Sequence, residues 1–306
     1  MKCIKGLKKI RGVTKALRMV REELKKKVSV AVIAEPQVEV ELISRLQLNA
    51  LNEVFFATSN ILNEVEKRTR IRQADLALVV IWPGESDKEL GRKVKIAKYA
   101  KEKLVVVTGN RIDDWLVENL AEVFHVSGED VAFIPISSDG ALETTLVPKI
   151  LSKLKGKEIA VAAAVPLFKD KVASDIISKT AKQNGAIGLA FFIPGSDMPL
   201  LTMNQIWMIL RLSAVYNQEL SAKRLYEILA TVGGGFAFRE SARQVIGLIP
   251  FGGWAVKGAF AYGGTIAMGQ LAKKYFESKK GEAFEPLATD RASTAGNRET
   301  KSLYKP

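Results

Sequence analysis

The 306 residues, 47% of them hydrophobic, are enough chain for two packed domains. A single cysteine, Cys3, and a single histidine, His125, exclude an intrachain disulfide framework and a metal cluster built on those ligands. The net charge of +13 is unevenly placed: residues 1 to 27 hold eleven Lys/Arg against Glu22 and Glu23, and the rest of the chain carries only +4.

The basic segment has a pattern. Ile4, Leu7, Ile10, Val13, Leu17, Val20 and Leu24 recur at three- and four-residue steps, which predicts a basic amphipathic helix over residues 1–27. Such a helix suits an anionic membrane surface, where each Lys or Arg is worth about 1 kcal/mol, and Lys5, Lys8, Lys9, Arg11 and Lys15 are the candidate contacts. Nucleic acid is the weaker partner, because the segment has no aromatic residue for stacking. A helix that packs its stripe on the body and leaves its lysines solvated is the remaining alternative. No uninterrupted apolar stretch follows the positive start, so a secretory signal is not indicated.

From Val28 the sequence VSVAVIAEPQVEVELISRL predicts a buried strand, a short loop and a helix carrying Leu42, Ile43 and Leu46 on one face. This is the frame of a phosphate-binding loop without its chemistry. Where G-x-x-x-x-G-K-[ST] would stand, the chain has Ala34 to Glu41, with Glu39, Val40 and Glu41 at the glycine, lysine and hydroxyl positions. The expected cradle points Glu35, Glu39 and Glu41 at the phosphate position, and like charges 4 Å apart repel by about 4 kcal/mol at an effective dielectric of 20. Three further apolar runs, Ala74 to Trp82, Leu104 to Thr108 and Val131 to Ile136, alternate with helical patterns and predict parallel βαβ units. His125, in VFHVSGED ahead of a turn, reads as an ordinary, partly exposed residue.

Two segments after these strands carry a family resemblance. Asn110-Arg111-Ile112-Asp113 resembles the N-K-x-D guanine-specificity motif of Era-like small GTPases, and ISSDGALETTLVPKIL resembles the segment that closes their guanine site. The resemblance covers roughly residues 28 to 155. It implies a P-loop-NTPase-like, mostly parallel sheet with helices on both faces, with Asp113 accepting from the guanine edge, Asn110 bracing the loops and Ser137-Ser138 meeting the base oxygen. Asn or Asp after a strand equally serves to cap the next helix. No D-x-x-G precedes the second run, and the interval from Leu46 to Ala74 is short for two switch segments, so hydrolysis of GTP is not expected and no cofactor is assigned.

From residue 156 glycine and aromatic residues increase. Gly188-Leu189 with Pro194-Gly195-Ser196-Asp197, and Gly247-Leu248 with Pro250-Phe251-Gly252-Gly253, predict a duplicated helical hairpin. Ile159 to Lys279 resembles the bacterial helical domain of unknown function in YcjF-type proteins, which is found fused to Era-like GTPases, through IPGSDMPLLTMNQIWMILRLSAVYN and IPFGGW. The run Val245 to Leu271 has the length of a membrane span but is broken by Pro250 and Gly252-Gly253, which favours packed hairpins inserting shallowly, with Trp254 and Phe260 at the interface. Ala259 and Gly263 supply small-residue spacing for close helix approach. Asp197 reads as a helix cap or a functional carboxylate, and residues 280–306 read as a disordered tail.

The expectation is therefore an α/β pseudo-GTPase domain (28–155) followed by a Gly-rich all-α helical domain (156–279). It would act as a scaffold or regulatory protein on the cytoplasmic face of the inner membrane, with a protein partner or a second copy of itself. The alternatives are a nucleotide-binding enzyme that draws phosphate-binding lysines from elsewhere, and a nucleic-acid binder using residues 1–27.

Overall fold

The structure is a computed structural model that describes residues 11–82, 84–109, 113–135, 140–190, 198–232 and 253–278. Helix α1 (Arg11–Leu24) precedes an alternation of strands β1 (Val30–Ile33), β2 (Phe55–Ala57), β3 (Leu76–Ile81), β4 (Lys103–Gly109) and β5 (Val131–Pro135) with helices α2 (Pro36–Leu46), α3 (Glu64–Gln73), α4 (Asp87–Ala97) and α5 (Asp114–Phe124). All pairings are parallel, in the order β2-β1-β3-β4-β5. Then follow α6 (Val147–Lys153), α7 (Glu158–Ala164), α8 (Lys169–Ala190), α9 (Met198–Val215), α10 (Ala222–Val232) and α11 (Gly253–Ser278).

The four expected strands are present, with ends shifted by one or two residues. The fifth, β2, has no counterpart in the sequence reading: three residues give too short a run to register. As an edge strand β2 leaves one row of backbone groups unpaired, and a side chain covers part of it. The Gln47 amide accepts from Val54 N (2.6 Å) and Phe55 N (2.9 Å) and donates to Phe55 O (3.2 Å), standing in for a sixth strand.

Period-two alternation divides the strands between two cores. Ala31, Ile33, Val79, Ile81, Val105 and Val107 face Ile71, Ala97, Leu120 and Phe124 of α3, α4 and α5. Val30, Val32, Leu78, Val80 and Val106 face the other way, into a cluster that continues through α6 to Phe168, Ile177 and Ile209. The apolar cluster therefore runs without a break across the expected boundary at 155. Stacking of Phe55 on Phe168, 6.1 Å between centroids, is one joint, and Lys157, paired with Asp75 and donating to Lys27 O (2.8 Å), is another.

Helix α1 is amphipathic as expected, and its stripe is used internally. Val13, Ala16, Leu17 and Val20 are buried in the same cluster, while Lys15, Arg18 and Lys25 stay exposed. Glu23 pairs with Arg211 of α9 (3.0 Å), and Arg21 donates to Leu220 O (2.5 Å). This part of the stripe is thus withdrawn from any lipid interface.

Helices α8 and α11 lie antiparallel, joined at one end by the Asp170–Lys273 ion pair. At the other end a Cβ on Gly188 would stand 3.1 Å from the Ala261 Cβ, the Gly258 Cα and the Lys257 carbonyl oxygen. The close approach is made by Gly188, Gly258 and Ala261, whereas Ala259 and Gly263, expected to make it, are exposed. Between these ends Asn184 donates to Thr265 Oγ1 (2.9 Å), both buried, and the half-buried Asn204 donates to Asn184 Oδ1 (2.9 Å), tying α8, α9 and α11 together. The expected hairpin turns and the tail lie outside the described residues, as does Asp197.

Two substitutions separate packing from propensity. Gly188→Val forces backbone apart and lowers stability by about 1–3 kcal/mol. Gly263→Ala, with nothing within 4 Å of the added methyl, raises it by up to about 1 kcal/mol. Urea midpoints of the two variants should move in opposite directions.

Candidate functional site

In a doubly wound parallel sheet the crevice lies beyond the carboxyl ends of the strands where the winding direction reverses, here between β1 and β3. Helix α2 begins at Pro36, whose fixed φ suits the first helical position, so only Ala34 and Glu35 lie between β1 and α2. The loop is too short to wrap a phosphate. This corrects the expected cradle of three carboxylates: Glu35 and Glu41 point to solvent, and Glu39, a turn into the helix, is wholly buried.

The Glu39 carboxylate lies across the ends of β1 and β2. Its Oε1 accepts from Ala34 N (3.1 Å) and from Thr58 Oγ1 (2.7 Å), and its Oε2 accepts from Ser59 N (2.9 Å). Backbone N–H groups and a hydroxyl converging on an anion at the end of the first strand are what a phosphate site requires. Here the anion is part of the chain. Thr58 donates its own N–H to Val32 O (3.1 Å), so the same residue closes the β1–β2 ladder and holds the carboxylate.

The nearby cations are committed elsewhere. Arg92 of α4 donates to Ala34 O (3.0 Å) and to Glu89 (2.8 Å). Lys93 is buried, donates to Val80 O (2.8 Å) and pairs with the buried carboxylate of Glu85. Neither is offered to a nucleotide from the position a phosphate-loop lysine would take.

Of the expected guanine contacts, Asn110, Ser137 and Ser138 lie outside the described residues. Asp113 is the exposed residue that opens α5, its carbonyl accepting from Leu116 N (2.9 Å), and its carboxylate does not cap the helix. His125 ends α5 in the left-handed conformation (φ 53°) and is exposed. Of the expected membrane contacts, Lys5, Lys8 and Lys9 fall before the described residues, Arg11 opens α1, Lys15 is exposed on it, Trp254 is in the first turn of α11, and Phe260 is 51% exposed. Among the described residues no helix is long and apolar enough to cross a membrane, and no group of three metal-ligating side chains is present.

Glu39 was read in the sequence as a repelling charge. The signal that could have turned that reading is Pro36, which starts the helix early and brings position 39 round to face the strand ends, together with Thr58-Ser59 after an unrecognised strand. Comparison with family models, curated proteins and solved structures gives no match.

Glu39→Ala removes an acceptor from two buried donors and the half-buried Ser59 N and leaves a void, and should lower stability by about 2–4 kcal/mol. Glu39→Gln keeps one carbonyl oxygen for them but also brings an NH₂ against a donor, so it should fall between wild type and Glu39→Ala. Equilibrium urea unfolding of the three proteins checks the order.

Proposed function

We propose that this chain is a non-catalytic relative of the phosphate-loop nucleotide-binding proteins that acts as a scaffold or regulatory protein at an anionic membrane surface. One observation carries the non-catalytic part: the donors that would receive a phosphate are occupied by the carboxylate of Glu39. A bound triphosphate would have to displace a buried, hydrogen-bonded anion, and residues 34–41 hold no lysine to receive it. The fold retains its architecture and has exchanged a ligand for a permanent internal strut.

The membrane part is supported by exposed charge and by exposed apolar side chains. Lys15, Arg18, Lys25, Lys26 and Lys27 are exposed on and after α1, while Leu189, Leu200 and Phe260 are exposed on the helical half. With Val13, Leu17 and Val20 packed inward, the described part of α1 contributes charge and not an inserted face. The association is then peripheral and dominated by electrostatics.

Two measurements test this reading. Phosphate release from Mg²⁺-GTP should stay at the buffer rate, and GTP should bind no more tightly than ATP; guanine-selective, Asp113-dependent binding overturns the non-catalytic reading. Co-sedimentation with anionic vesicles should weaken as salt rises, because the Debye length is only about 8 Å at 0.15 M. The variant K8E/K9E/R11E/K15E should lose that association. Binding indifferent to salt and to this variant overturns the electrostatic anchor.

A further inference from the structure

Helix α3, EVEKRTRIRQ, is polar on all sides and buries only Ile71, which core packing alone does not explain. It is fixed at its start by Asn63, which accepts from Val65 N (2.9 Å) and Glu66 N (3.1 Å). Beside it, Lys88, Arg92, Lys95 and Tyr99 follow at helical steps along and just past α4. Between the two helices runs a groove of about 680 Å³. Its cations are Lys67, Arg68, Lys88, Arg92, Lys95 and Lys98, and its acids are Glu64, Asp87 and Glu89.

The charges are not balanced inside the groove. Glu64 pairs with Lys67 (2.7 Å) and Glu89 with Arg92 (2.8 Å). Arg68, Lys88, Lys95 and Lys98 have no carboxylate within ion-pair distance among the described residues. Two of these converge on one ring: the Arg68 guanidinium lies 5.3 Å and the Lys98 ammonium 5.2 Å from the Tyr99 centroid. An aromatic face offsets such crowding only weakly, whereas an anion between the cations removes it.

We propose that the α3–α4 groove is a binding site for a compact polyphosphate-bearing ligand, held by Arg68, Lys95 and Lys98 with Tyr99 as its floor. The volume is that of a small-molecule site, in the usual range of about 300–1,000 Å³. Glu64, Asp87 and Glu89 in the lining oppose a continuing phosphate backbone, and one aromatic ring is too few to stack successive bases, so a nucleic-acid strand fits poorly. The planar guanidinium of Arg68 suits the geometry of a phosphate. The same chemistry is available from a soluble polyphosphate and from a polyphosphorylated lipid headgroup. The site is separate from the strand ends that Glu39 fills and does not depend on how those are read.

Calorimetry on the full chain with inorganic tripolyphosphate at low salt is the test. Micromolar binding is expected, weakened about tenfold or more in R68E/K98E, less so in R68Q/K98Q, and unchanged in K182E, at an exposed lysine of α8. The neutral pair keeps the test valid should the charge-reversed protein not fold. Vesicles carrying a polyphosphorylated inositol lipid, compared with phosphatidylserine vesicles, distinguish the two sources: Arg68-dependent preference for the former assigns a lipid headgroup, and its absence alongside tripolyphosphate binding assigns a soluble ligand. The proposal is overturned if tripolyphosphate does not bind, if R68E/K98E binds it as wild type does, or if a glutamate-rich peptide binds more tightly with the same dependence on Arg68 and Lys98.

Discussion

A parallel sheet ends in a row of backbone donors and acceptors at its carboxyl edge, and whatever fills the crevice there must satisfy them. In this chain Glu39 satisfies part of that row, at the ends of β1 and β2. Its carboxylate takes hydrogen bonds from the end of β1, from the Thr58 hydroxyl and from Ser59 beyond β2, so it fixes the start of α2 against two strands together. A buried anion is tolerated only when its lone pairs are engaged, which makes the geometry of Ala34, Thr58 and Ser59 a condition of the fold.

The second constraint is that one face of the sheet is covered by distant parts of the chain. Helix α1, α6 and the C-terminal helices all contribute to the cluster that begins at Val30 and Val32. The basic amino-terminal helix is therefore structural on its inner side and electrostatic on its outer side, with Arg211–Glu23 at the boundary between the two.

Packing in the helical half depends on backbone contact. Gly188 and Gly258 let α8 and α11 meet where any side chain would intrude, and Asn184, Asn204 and Thr265 then fix the register through hydrogen bonds that only one alignment satisfies. Close contact of this kind is found in water and in lipid alike, so the glycines do not themselves assign the helices to either.

Features controlled by local pattern were legible in the chain. Apolar runs located four of the strands, and three- and four-residue periodicity defined α1. Strand β2 escaped because it is short and is stabilised by its neighbour and by Gln47 rather than by its own propensity. Which of three nearby glutamates turns inward is set by long-range packing, because it depends on where Pro36 starts the helix and on donors some twenty residues away. Such packing also sets where the positive charge matters. Net charge pointed to residues 1–27, while the unbalanced cations around Tyr99 come from two helices whose sequences each carry compensating acids, and only their packing side by side separates the charges in space.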